Sequence, residues 1–205
     1  MPGRTIDGLY WPSVTEVIPA ALRPDFSAVP RDVLAQAAHR GQALHRTVEL
    51  FEHDDLGAVH PKISSGLEAW QRFKAETGFR FEAGEFEVRS NRWRYIGRPD
   101  ARGWFGATRG LVDIKYVANF SRAYQEYTAL QTIGGYAPAW DEEHPMEPIG
   151  CCYALWIRMD GNYRVVRLEK PNARMIFQAA LVIHHEMLSL RRDNGRDADG
   201  GDAEA

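Results

Sequence analysis

The stretch GRPDARGWFGATRGLVDIK, residues 97–115, decides how the rest of the chain is read. Apolar and polar residues alternate on either side of Gly106-Ala107, which predicts two strands joined by a tight turn. Side chains two apart on a strand share a face, so Leu111, Asp113 and Lys115 point one way. Val112, Ile114 and Tyr116 point the other way, toward the expected core. With the turn at Gly106 or Ala107, Asp100 falls opposite Asp113 or Lys115. Directly opposed residues in a sheet have Cβ atoms ~5 Å apart. Two carboxylates that close repel, and a divalent cation between them is the usual compensation. A lysine beside them can hold a water or a phosphate oxygen. The glycines thus make a hairpin, and the hairpin gathers two acids and a lysine.

The surrounding charge points the same way. The 205 residues carry a net charge of −3, which by itself speaks against a polyanion-binding protein. Residues 192–205, however, hold Arg192 and Arg196 against Asp193, Asp197, Asp199, Asp202 and Glu204, so the tail accounts for that charge and 1–191 is neutral. Residues 89–125 hold seven arginines and Lys115, with Asp100 and Asp113 as the acids. That balance predicts a phosphate-facing cleft with two embedded carboxylates. The two cysteines, Cys151 and Cys152, are adjacent and offer neither a disulfide framework nor four thiolates for an iron–sulfur cluster. No segment reads as a signal peptide or membrane span, which fits a cytoplasmic protein.

Elsewhere, Ser13 and Glu16 have capping-box spacing and predict a short helix. Leu34, Ala37, Gly41, Leu44, Val48 and Phe51 recur at helical spacing between Pro30 and Glu52. A second helix is expected from Ile63 to Glu76, stopped by Gly78. Strands are expected around Phe86 and Val88, over NRWRYIG, DARGWFG and GLVDIKYV. A helix from Ser121 to Ala137, an acidic loop DEEHPMEP, and a hairpin over CCYALWIRMDGNYRVVRL turned at Asp160-Gly161 follow. A last helix starts at Pro171 and ends near Leu190, with residues 192–205 a disordered acidic tail. This order predicts an α/β (α+β) fold over 1–191, a mixed central sheet flanked by helices.

Pro99-Asp100, twelve residues, then Asp113-Ile114-Lys115 resembles the signature of the PD-(D/E)XK nuclease superfamily. AHRGQALHRTVELFE, with Gly41 and His45, resembles the helical Gly-x-x-x-His motif of its RecB-type branch. WPSVTEVI and YTALQTIGGYA are similar to segments of phage-type exonucleases in that branch. The resemblance implies a restriction-endonuclease-like core and a deoxyribonuclease, an exonuclease of phage-type recombination or repair. It implies one or two Mg²⁺ or Mn²⁺ ions on His45, Asp100, Asp113 and the Ile114 carbonyl, with Lys115 acting on the phosphate. Gln131 would position the strand, with Arg94, Arg98, Arg102, Arg122 and Tyr127 contacting DNA. A homo-oligomer and a helicase or annealing protein are left open as partners, and a catalytically inactive nucleic-acid-binding protein is the alternative. No iron–sulfur cluster is expected.

One spacing departs from the family: Gln131 and Tyr136 stand five apart instead of four, which on an α-helix turns the tyrosine ~100° off the shared face. Tyr127, four residues before Gln131, is the substitute. Glu49 is weighed as an acceptor for His45. Glu85 and Glu87 share a strand face and are weighed as a further carboxylate for the site, with facing water preferred; His184-His185 are expected on the surface, and at least one of Cys151 and Cys152 in the core. Trp93, Tyr95, Trp104 and Phe105 are weighed as base-stacking rings, with core packing preferred.

Overall fold

The computed structural model of the chain describes residues 2–119 and 122–199, with residue 123 and residues 191–199 by backbone alone. The chain opens with a hairpin of β1 (Arg4–Ile6) and β2 (Leu9–Trp11). Asp7 and Gly8 turn it, both at positive φ (50° and 75°), the Asp-Gly chemistry of a tight turn. Helix α1 (Val14–Val17) starts on the expected capping box: Ser13 Oγ accepts from the Glu16 amide and the Glu16 carboxylate accepts from the Ser13 amide. Helices α2 (Arg31–Glu52) and α3 (Pro61–Thr77) follow, the latter ended by left-handed Gly78. Then come β3 (Phe79–Gly84), β4 (Val88–Ser90), β5 (Tyr95–Gly97), β6 (Ala101–Phe105) and β7 (Thr108–Val117). Helix α4 (Arg122–Ala129), a π-helical turn over Leu130–Tyr136 and α5 (Ala137–Glu143) lead to β8 (Cys151–Arg158) and β9 (Tyr163–Arg167). Helix α6 (Ala173–Asp199) closes the described chain.

The central sheet has the order β3-β6-β7-β8-β9. All its pairs are antiparallel except β7 with β8, so the sheet is mixed. The β7–β8 crossover carries α4 and α5, as a parallel pair requires a long connection. Helices lie on both faces. Leu44, Val48, Leu67, Trp70 and Phe73 from α2 and α3 pack on Val112, Ile114, Leu155 and Ile157. Val14, Leu130, Tyr136, Phe177 and Leu181 pack on Leu111, Ala154 and Trp156 from the other side. The sequence placed the core on the Val112–Ile114 side alone. In the fold Leu111 and Asp113 are as deeply buried, because a crossover of this length covers the second face.

Several boundaries differ from expectation. Strand β3 and the first hairpin were not anticipated, and the strand expected around Phe86 begins at Val88. Asp141–Glu143 belong to α5 instead of a loop. Backbone helix reaches Asp199, past Leu190, so the part of the expected disordered tail up to that point is helical; residues 200–205 lie outside the described residues. Ser121, the expected start of the helix after β7, also lies outside them.

The π-helical turn corrects the spacing of Gln131 and Tyr136. The Ala137 amide donates to the Thr132 carbonyl, five residues back. A turn that closes over five residues absorbs the one inserted in the sequence, so Gln131 and Tyr136 return to one face. Gly134 and Gly135 fit this turn against its neighbours. A Cβ on Gly135 would stand 2.7 Å from Val14 Cγ1, and one on Gly134 2.9 Å from the Ala173 carbonyl oxygen.

Candidate functional site

The site arises where one strand outlasts its neighbour. The β6–β7 pairing runs from Phe105↔Thr108 only as far as Ala101↔Val112. On its other side β7 stays paired with β8 to Val117. Beyond Val112 the β6-side edge of β7 is therefore open, and its backbone polar groups need other partners. Asp100, one residue before β6, supplies the first: its Oδ2 accepts from the Ile114 amide at 2.7 Å. His45, from α2, supplies the second: its Nε2 lies 2.9 Å from the Ile114 carbonyl oxygen. Of the two partners left open for Asp100, the register selects Asp113, level with it one step beyond Ala101↔Val112, and Gly106 at φ 60° makes the turn.

His45 Nδ1 faces two carboxylates, Glu85 Oε1 at 3.2 Å and Asp100 Oδ1 at 3.6 Å. One ligand atom each from His45, Glu85 and Asp100 all fall within 4.8 Å of one another. Burial disfavours the imidazolium, but the Asp100 charge and the Glu85 hydrogen bond outweigh it and lift the His45 pKa to about 9. A proton on His45 balances the two acids here, the place a divalent cation could take.

Asp113 and Lys115 form the other half. Lys115 Nζ lies 2.5 Å from Asp113 Oδ2 and 3.9 Å from Asp100 Oδ2. Asp113 is 3% exposed, and burial pushes its carboxyl up to about 6 against the pull of Lys115. The two carboxylates more than offset desolvation at Lys115 and raise its pKa, so the ammonium stays charged. Burial, with Asp113 and Asp100 nearby, holds the Tyr136 phenol well above its ordinary range. Gln131 is buried, and its Oε1 has no hydrogen-bond partner among the described residues. Tyr127 is half-buried and within electrostatic reach of Lys115 and Asp113. Gly97 lets this wall close: a Cβ there would come within 2.6 Å of the Tyr136 ring.

Of the expected ligands His45, Asp100, Asp113 and the Ile114 carbonyl, His45 and Asp100 come together, while the Ile114 carbonyl lies at the other ring nitrogen of His45. Asp113 is turned to Lys115, and the carboxylate at ligand spacing to His45 and Asp100 is Glu85. On the sequence Glu85 is a candidate further carboxylate, with a water-facing strand position preferred. It lies just beyond β3 at φ 48°, a left-handed position that ends the strand's alternation. Arg98 holds it there, donating to the Glu85 carbonyl at 2.6 Å with its carboxylate at 3.3 Å. Only the presence of a second acid near the PD pair could have signalled it. Glu49 pairs with Arg46 and Glu87 with Arg4, so neither reaches His45.

The arginines expected to face DNA separate. Arg102 is packed 3.8 Å from the Trp140 ring centroid and paired with Glu82, and Arg98 is spent on Glu85. Arg94 sits in the β4–β5 turn beside Tyr10 and His185. Arg122 is exposed at the start of α4, the helix that leads to Tyr127 and Gln131. His185, expected on the surface, is half-buried with Nε2 3.0 Å from the Trp93 carbonyl. Cys152 enters the core as expected. Among the described residues no helix is long and apolar enough to cross a membrane.

No protein-family model matches the sequence, and no curated protein does. Solved structures do. An exonuclease candidate from Eubacterium rectale is 11% identical, with 76% of this chain and 68% of that one covered at a TM-score of 0.51. An alkaline exonuclease from Laribacter hongkongensis is 18% identical over 76% of this chain and 85% of that one, with a TM-score of 0.36. A phage-related exonuclease from Haemophilus somnus is 11% identical over 74% and 83%, with a TM-score of 0.41. At 11% identity the likeness to the first of these is one of fold alone.

Proposed function

We propose that the chain, whose fold is similar to that of a solved exonuclease candidate, is a divalent-metal-dependent deoxyribonuclease of the PD-(D/E)XK superfamily, an exonuclease of phage-type DNA recombination or repair acting in the cytoplasm. The observation that carries this is the meeting of His45, Glu85 and Asp100 within 4.8 Å at the open edge of β7, with Lys115 3.9 Å from Asp100.

The donors fit a metal by their chemistry. One imidazole nitrogen and two carboxylates form a mixed nitrogen and oxygen set that suits Mn²⁺ and accepts Mg²⁺. A bound ion would supply a water of lowered pKa and positive charge against the phosphate. His45 gives up its proton to serve as a ligand. Asp100 stays anchored by the Ile114 amide. Lys115, kept charged by its neighbours, donates to a non-bridging phosphate oxygen or orients the attacking water. Asp113 aims Lys115, and would be free to serve as a further ligand only if that ion pair opened. Gln131 and Tyr136, brought to one face by the π-helical turn, offer an amide and a neutral phenol to the substrate strand. Arg122 and Tyr127 lie along the approach.

Incubating the purified chain with linear and covalently closed circular DNA, in Mn²⁺, Mg²⁺ or chelator, tests the proposal. Metal-dependent loss of linear DNA alone is the expected result. Cutting of closed circles at an equal rate would make it an endonuclease. DNA bound but left whole in both metals would make it a non-catalytic nucleic-acid-binding protein on this fold.

A further inference from the structure

Most of the aromatic side chains weighed for base stacking are structural. Tyr95 is buried and donates to the Gly135 carbonyl at 2.9 Å, and Phe105 packs 4.8 Å from Phe79 and 4.4 Å from Tyr153. A different set of rings leads away from the site. Lys115 pairs in register with Trp156 on β8, so the two side chains neighbour each other on one face of the sheet. The Trp156 ring lies 6.5 Å from Tyr124, which lies 6.5 Å from Tyr127 and 5.8 Å from Phe26. Trp156 is buried, Tyr124 and Tyr127 are half-buried, and Phe26 is 40% exposed. The row therefore runs from the site to solvent and ends on an open ring, with Leu22, four residues earlier in the chain, also exposed, at 42%.

Charge on this row suits a polyanion. The Arg23 guanidinium donates to the carbonyls of Thr15 and Ile18 and, among the described residues, has no ion pair with an acid. Its charge reaches Tyr127, as does that of Lys115. Arg89, Arg98, Arg102 and Arg109 contrast with it, since each is paired with a glutamate.

We infer that Phe26 and Tyr124 form a stacking platform for an unpaired base of the strand whose phosphate reaches Lys115. This rests on the proposed nuclease reading and gives it a substrate form: a strand single at its end. Every base has a π-face, so the platform is tolerant of sequence. Loss of the ring at Phe26 would be read as about tenfold weaker binding, which is 1.4 kcal/mol.

The experiment compares oligothymidylate with an abasic oligomer of equal length, by fluorescence anisotropy in chelator. The two carry the same phosphates and differ in bases. Wild type should prefer oligothymidylate about tenfold. Phe26→Leu keeps apolar bulk at an exposed position, so its melting temperature should hold while the preference disappears. Phe26→Trp should keep the preference, and abasic affinity should be equal in all three. An equal affinity of wild type for both oligomers, or a preference undiminished in Phe26→Leu, overturns the inference. A chain that cuts DNA with Mn²⁺ yet lacks the preference loses the platform alone. One that has the preference and never cuts keeps the platform as the binding site of a non-catalytic protein.

Discussion

The two halves of the site contain the same kinds of group and settle their charges differently. His45 and Glu85 keep 22% and 23% of their side-chain surface open, and their half is balanced by a proton on the imidazole. Asp113 is 4% open, and its half is balanced by an ammonium 2.5 Å away on the same strand. A proton near solvent can be exchanged for a cation at modest cost. A buried ion pair cannot be opened without leaving a charge in a medium of low dielectric constant. The open half is thus the replaceable one, and the closed half is a fixed part of the fold.

The largest effect should come from breaking the closed half. Lys115→Ala strands the Asp113 carboxylate and should cost about 3–5 kcal/mol of stability, while cleavage falls to background. Urea denaturation and a DNA digestion assay check both, and an unchanged midpoint would mean the pair carries no weight.

The open half should respond to metal instead. Mn²⁺ at ~100-fold above its dissociation constant should add about 2.7 kcal/mol. Glu85→Gln should lose most of that gain and little metal-free stability, since Glu85 is near solvent. A Glu85→Gln protein that melts with the full Mn²⁺ shift would return the third carboxylate to Asp113.

The same contrast sets a pH dependence. The folded pKa of His45, about 9, lies above its unfolded value of about 6.5. Its contribution is therefore fully present below pH 6.5 and is lost as pH rises through 9. Metal-free protein should lose on the order of 1–3 kcal/mol across that window, and the Mn²⁺ gain should grow over the same range as the competing proton leaves. Melting curves from pH 6 to 9.5 measure both, and His45→Gln should flatten them.

The smallest effects belong to the arginines. Arg122→Ala should weaken DNA binding and reduce the salt slope by about one. Arg102→Gln, which removes a guanidinium packed on Trp140, should leave the slope unchanged and lower the melting temperature slightly. A reversed pattern would put the DNA path on the β6 side of the sheet.

Much of the site could be read from local chemistry. Strand alternation and Gly106 are enough to bring Asp100 opposite Asp113 or Lys115, and the two-residue turn of the fold settles it on Asp113, because the turn fixes register. Helical spacing carries His45 on α2, and the capping box starts α1 where Ser13 and Glu16 stand. These are short-range consequences of backbone geometry, so the sequence by itself determines them. Long-range packing decided the rest. Glu85 enters the site because Arg98 and His45 hold a left-handed residue in place, and no pattern along the strand announces that. Gln131 and Tyr136 share a face because a π-helical turn fits Gly134 and Gly135 against α6 and α1. Arg102 is withdrawn from the surface by Trp140, some forty residues on. Each depends on which partner arrives from a distant part of the chain, and composition at one position carries no record of that partner.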